Sequence, residues 1–130
     1  MPSHLSRAEL DELDAALRAR RRELREEIYE ELTSRDNKLY AELAGQVHDM
    51  EEEAVAGFVS DLSLTFLERY MRELDAVEAA LTRLREGRYG ICEDTGEPIP
   101  FERLQVNPTA TRTLDAQVRH EQQHPQPPTL

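Results

Sequence analysis

The sequence holds no tryptophan and one cysteine, Cys92, in 130 residues. A single thiol forms no intrachain disulfide and no cysteine-based zinc cluster, and it suits a reducing compartment. Long apolar runs are missing, as is the apolar core of a signal peptide. The expectation is a soluble, cytoplasmic chain that neither spans a membrane nor leaves by that route. Basic residues are scarce: 16 Lys and Arg stand against 27 Asp and Glu, for a net charge of −11. Such a molecule repels a phosphate backbone, because DNA affinity rests largely on Lys and Arg displacing counterions. No direct DNA binding is expected, and a basic protein surface is the better partner. No catalytic triad, phosphate loop or nucleotide fingerprint occurs, so no enzymatic activity is expected. Apolar residues reach only 38% beside 33% charged. That is little for a sphere of this size and predicts an elongated shape with a narrow apolar seam.

What is present is helical periodicity. Residues 1–5 read as a flexible start. Ser6 is a candidate N-cap, and Glu9 completes a capping box. Leu10, Leu13, Leu17, Leu24, Ile28, Leu32, Leu39 and Leu43 then recur at threes, fours and sevens, which marks a seam rather than a broad face. Arg20, Arg21 and Arg22 interrupt it. Their stems can cover apolar surface while their charges stay wet, and the Arg18–Arg25 cluster as a whole reads mostly as a wet helix face. Gly45 is the candidate helix stop, with 46–50 as the connection. A second pattern runs from Glu51 to about Glu86 through Phe58, Leu62, Leu67, Met71, Leu74, Val77, Leu81 and Leu84, and Gly87 ends it. Glu51, Glu52 and Glu53 in its first turn suit the positive end of the helix dipole. Two helices of about 35 residues joined by a short turn pack antiparallel, each about 50 Å long. The spacing predicts a rod with Leu13 near Leu84, Leu24 near Val77 or Met71, and an exposed acidic tip near 46–54.

The remainder differs. Tyr89–Cys92 and Glu97–Phe101 read as two short strands around a Glu93–Gly96 turn. Asn107 and Pro108 read as N-cap and first residue of a last helix over about 108–122. Residues 124–130, with three prolines, read as a disordered tail. The expected organisation is a coil over 6–87, a base over 88–123, and the tail. His120 and His124 have i, i+4 spacing but no evident third ligand, so no metal is expected there.

Tyr89, Gly90, Cys92, Gly96, Ile99, Arg103, Leu104, Pro108 and Ala110 carry a resemblance to the C-terminal zinc-finger segment of the DksA/TraR family. The family's four cysteines fall at positions occupied here by Cys92, Thr95, Thr113 and Ala116. The coil that precedes them agrees in length and position. The resemblance implies a mostly α fold: a long antiparallel two-helix coiled coil on a small globular base, here a degenerate zinc-finger-like β-hairpin plus a C-terminal helix. With only one of the four ligand positions still a cysteine, no zinc and no other cofactor is expected, and Cys92 reads as a relic ligand. Tyr89, Ile91, Ile99, Phe101, Leu104 and Leu114 must then build the core that metal ligation otherwise supports. The Thr95 and Thr113 hydroxyls are expected to bond each other or turn amides.

Members of the family insert the coil into the secondary channel of bacterial RNA polymerase and carry Asp-x-x-Asp-x-Ala at its tip. Counted back from Cys92, that motif falls on Asp49, Glu52 and Ala54. The resemblance thus implies a monomeric transcription regulator, partnered by RNA polymerase, that alters the stability of open promoter complexes. Glu for the second Asp keeps the charge but moves the carboxylate by one methylene. Arg69 is a further candidate contact. In the family the stringent-response alarmone ppGpp meets basic side chains at positions that here are Ala76, Asn107 and Gln117, so weak synergy is expected. Two other readings stand beside this one: a Gre-like transcript-cleavage factor, whose C-terminal domain the base does not resemble, and a structural coiled coil that self-associates.

Overall fold

The structure, a computed structural model, describes residues 3–125. Residues 126–130 of the expected tail lie outside the described residues. Helix α1 (Arg7–Thr33) opens on the expected capping box. Ser6 Oγ accepts from the Glu9 amide at 3.0 Å, and Glu9 Oε1 accepts from the Ser6 amide at 2.8 Å. It stops at Thr33, well before Gly45. The Thr33 and Ser34 hydroxyls donate back to the carbonyls of Glu30 (3.1 Å) and Glu31 (2.9 Å), which competes with helix continuation. Asp36 adopts a left-handed φ of 39°. Asn37 then caps α2 (Lys38–Asp49), its Oδ1 accepting from the Tyr40 amide at 3.1 Å. Gly45 lies inside α2. Met50 and Glu51 are extended and form a two-residue link to α3 (Glu52–Leu62). That helix ends at Ser63, with φ of 52°, and a 3-10 turn at Thr65–Leu67 leads into α4 (Glu68–Arg85). Gly87, at φ 72°, closes α4 where the sequence expects.

The antiparallel helix pair is α1 with α4. Tyr70 reaches Glu31 at 3.5 Å, Arg20 donates to Glu73 at 2.8 Å and Arg21 to Glu78 at 2.9 Å. These levels put Leu24 beside Val77, the expected register, and both are buried. The far part of the pair is thickened by α2 and α3. Helix α2 doubles back along α1, so the His48 ring lies 5.2 Å from that of Tyr29. Helix α3 packs on α4 and touches α1. Ala44, Val47, Val55 and Val59 thereby join Ile28, Leu32 and Leu74 in one core, removing apolar surface that a bare helix pair leaves half wet. The 46–54 segment, expected at the rod's end, accordingly sits partway down α1, level with Arg21–Tyr29. The far end carries Arg35 stacked 3.5 Å over the Phe66 ring, which leans on Tyr40 at 5.4 Å.

The start of the chain is not free at residues 3–5. Leu5 is buried in the base and His4 Nε2 lies 2.7 Å from the Ile99 carbonyl. The expected β-hairpin contracts to a single antiparallel bridge between Ile91 and Pro98, because Pro98 and Pro100 have no amide to extend the ladder. Phe101, expected in a strand, begins α5 (Phe101–Val106), and Asn107 is its C-cap rather than the N-cap of the last helix. Thr109, Thr111 and Thr113 are poor helix formers. Helix α6 (Leu114–Gln123) starts only under Thr113, whose hydroxyl accepts from the Ala116 amide at 3.3 Å. Tyr89, Ile99 and Leu104 are buried as expected, joined by Leu5, Cys92, Ala110 and Ala116. Phe101 is half-buried, whereas Ile91 and Leu114 point out, 43% and 64% exposed.

Candidate functional site

The sequence-predicted acids stand on one turn in opposite states. Asp49 ends α2 with its side chain 89% exposed, and its neighbour His48 lies 3.9 Å away. Glu52 opens α3 and is held: Oε2 accepts from Arg21 at 3.2 Å, and Oε1 is 4.0 Å from Arg25. Arg21 is only 4% exposed, and it also donates to Glu78 at 2.9 Å. The crevice between Arg21, Arg25, Glu52, Val55 and Leu74 admits no water. Ala54 is exposed on the same helix. Arg20, next to this cluster, bonds Glu23, Glu27 and Glu73, and its hydrogen bond holds the Glu73 carboxyl below the ordinary carboxylate range. The wet-face reading of these arginines is corrected by Arg21. It occupies a seam position between Leu17 and Leu24, at helical spacing from both, and that spacing is the signal that could have placed it inside. Arg69, in the first turn of α4, is exposed, with its guanidinium 5.3 Å from the Tyr70 ring.

In the base, Cys92 and Ala116 are buried and the Thr95 and Thr113 hydroxyls bind turn amides, of Glu97 at 3.2 Å and Ala116 at 3.3 Å. Burial pushes the Cys92 thiol up. The Thr95 hydroxyl and the backbone amides of Thr113, Thr95 and Asp94 favour its thiolate more strongly and bring it down to about 7. One sulfur, two engaged hydroxyls and a methyl do not fit zinc, which takes thiolate, imidazole or carboxylate donors. Among the described residues no trio of His, Cys, Asp or Glu is placed to hold a metal. The two loops are joined instead by protein contacts. The Glu93 amide donates to the Thr111 carbonyl at 2.9 Å, and Arg112 pairs with Glu93 at 2.7 Å and Asp94 at 2.8 Å. Tyr89 adds a bond to the Pro108 carbonyl at 2.8 Å.

Ala76, Asn107 and Gln117 lie on three elements, within α4, at the end of α5 and within α6, and supply no cation. No helix among the described residues is long and apolar enough to cross a membrane.

Residues 87–122 match the family model described as the prokaryotic dksA/traR C4-type zinc finger. The RNA polymerase-binding transcription factor DksA of Caulobacter vibrioides is 37% identical over 98 residues, which cover 75% of this chain and 68% of that one. The solved structure of transcription factor DksA2 from Pseudomonas aeruginosa aligns with 95% of this chain and 91% of its own, at a TM-score of 0.62 and 31% identity. That of the RNA polymerase binding protein and transcriptional regulator Dks from Chlamydia trachomatis aligns with 95% and 99%, at a TM-score of 0.53; at 21% identity it shows the fold alone. With a helix pair on a small base, a finger-like segment at 87–122 and a relative matched over most of its length, the chain belongs to the DksA/TraR family.

Proposed function

We propose that this chain is a bacterial transcription regulator, not an enzyme, that binds RNA polymerase through its secondary channel and alters the stability of open promoter complexes. It acts as a cytoplasmic monomer, without zinc. The observation that carries the reading is Asp49, a carboxylate 89% exposed at the end of α2, at the position where the family's first tip acid falls. With no guanidinium on it, that carboxylate is available to a partner's cation or amide at charge-assisted strength. The net charge of −11 favours a basic protein surface over DNA. The name of the Caulobacter vibrioides relative supports polymerase as the partner. Glu52 and Ala54 complete the tip motif, and Arg69 is a further contact. The ion pairs of Arg112 take over the joining of loops that zinc performs in a four-cysteine finger. Ala76, Asn107 and Gln117 offer nothing to an anionic nucleotide, so ppGpp adds little.

The test is transcription in vitro from a ribosomal-type promoter with and without the protein, alongside a polymerase pull-down. Binding with a changed open-complex lifetime is expected. A chain that neither binds polymerase nor changes the lifetime contradicts the reading.

A further inference from the structure

The acids assigned to the tip are not at the end of the molecule, and four observations bear on that. First, α2 and α3 are arms of matching length, 12 and 11 residues, joined by Met50–Glu51 and folded back together. Second, the two places where they fold lie level with each other, since Arg35 at one stacks on Phe66 at the other. Each contains a non-glycine residue with left-handed backbone, Asp36 at φ 39° and Ser63 at φ 52°. Non-glycine residues adopt that region uncommonly, Asp more readily than most, and a continuous helix would return both to the right-handed region. Third, Leu39 continues the seven-residue spacing from Leu32, yet it is 59% exposed. A seam that continues in sequence is thus abandoned in space. Fourth, a straight hairpin turning between Met50 and Glu51 would set Glu31 against Tyr70 and Arg21 against Ala80. The structure sets Glu31 against Tyr70 and Arg21 against Glu78. By these two contacts α1 and α4 already have the register of the fully extended hairpin to within two residues, while Arg20, which leans along α1 to Glu23 and Glu27, reaches on to Glu73.

We infer that the α2–α3 hairpin is a hinged arm, latched by Glu52 on Arg21, that swings about Ser34–Asn37 and Ser63–Leu64 to carry Asp49 and Glu52 to the far end of a two-helix rod. Helix α1 then continues into α2, and α3 into α4. The inference rests on the reading of Asp49 and Glu52 as the acids presented to polymerase. In the folded form Glu52 is occupied by Arg21, so the latch withholds one of the two carboxylates as well as placing both short of the end. The latch is releasable because it is imperfect. The Nε atoms of Arg21 and Arg25 are buried without a partner, and on opening they regain water.

The test is a distance between spin labels at Asp11 and Gln46, both exposed, in a Cys92→Ser background. Folded, Gln46 lies near the level of Tyr29, about 27 Å along α1 from Asp11; straightened, the separation is about 52 Å at the helical rise per residue. The free protein should give mainly the short distance. Glu52→Gln should raise the ratio of long to short by roughly tenfold, the loss of about one charge-assisted bond. Saturating RNA polymerase should move the unsubstituted pair to the long distance. Circular dichroism separates opening, which keeps helicity, from unfolding, which loses it. A short distance that persists in Glu52→Gln and on polymerase overturns the hinge while leaving polymerase binding standing. A longer distance gained only with loss of helix also overturns it. If polymerase does not bind at all, the function assigned above falls, and the free-protein distances still decide the hinge.

Discussion

Glu52 accepts a hydrogen bond from Arg21 at 3.2 Å across 31 positions of sequence, and Arg21, 4% exposed, spends its other terminal nitrogen on Glu78. Three segments of the chain meet at that guanidinium. A buried cation needs its carboxylates, since leaving one side unpaired exposes the desolvation cost of the charge.

Glu52→Asp restores the family's tip residue but falls one methylene short of Arg21. It is expected to lower stability by about 1 kcal/mol, a charge-assisted hydrogen bond weakened rather than abolished, and to keep or strengthen the promoter effect. Urea denaturation and open-complex lifetimes measure the two. A variant as stable as the parent but inactive contradicts the assignment of Glu52.

Chelation should leave the base intact. Arg112 with Glu93 and Asp94, and the Glu93–Thr111 backbone bond, hold the two loops together. The melting curve in a strong chelator is expected to overlay the untreated curve, with substoichiometric zinc by metal analysis. Stoichiometric zinc, or melting shifted down by the chelator, refutes this.

The Cys92 thiol, lowered to about 7 from an ordinary value near 9.0, ties stability to pH in a defined direction. A depressed acid stabilises the fold once its unfolded form also ionises, and that contribution is lost as pH falls through the folded pKa. The stability of the parent relative to Cys92→Ala should therefore rise between about pH 7 and pH 9 and be flat on either side. Paired denaturation curves across that range check it; a difference that falls with pH contradicts it.

Gly90→Ala is expected to destabilise the base by about 2 kcal/mol, combining left-handed strain with overpacking. Gly90 has φ of 84°, and an added Cβ would sit 3.1 Å from Leu5 Cδ1 and 3.2 Å from His4 Cε1. Thermal melting measures it. Gly96→Ala shares the positive φ but meets nothing within 4 Å, so it should cost less; equal effects would remove the packing argument.

What was legible in the sequence was what local chemistry or unbroken periodicity dictates. The Ser6–Glu9 box, the stop at Gly87 and the Leu24–Val77 register all follow from signals within a few residues or from one repeating seam. The break at Ser34–Asn37 was hidden because Leu32, Leu39 and Leu43 carry the seam across it. The opposing signal was Thr33-Ser34-Arg35-Asp36-Asn37, a run of residues that bond their own backbone. Arg21 was hidden because its partners, Glu52 and Glu78, lie far away in sequence. In the base, the burial of Leu5 and the exposure of Leu114 depend on how the chain start crosses Gly90 and on Thr113, not Asn107, capping α6, which hydrophobicity alone does not encode. The tip residues Asp49, Glu52 and Ala54 came from the family's spacing; the unequal states of the two acids, Asp49 free and Glu52 latched, came from the fold.

Asp49 is the residue proposed to meet the partner. The measurement that tests this most directly is the lifetime of open promoter complexes with the parent and with Asp49→Ala. Because the side chain is 89% exposed, the substitution should change stability by no more than about 0.5 kcal/mol and leave most polymerase affinity intact. Asp49→Ala is expected to abolish the change in lifetime. If the variant alters the lifetime as the parent does, Asp49 is a solvated helix end and the mechanism assigned to it is wrong.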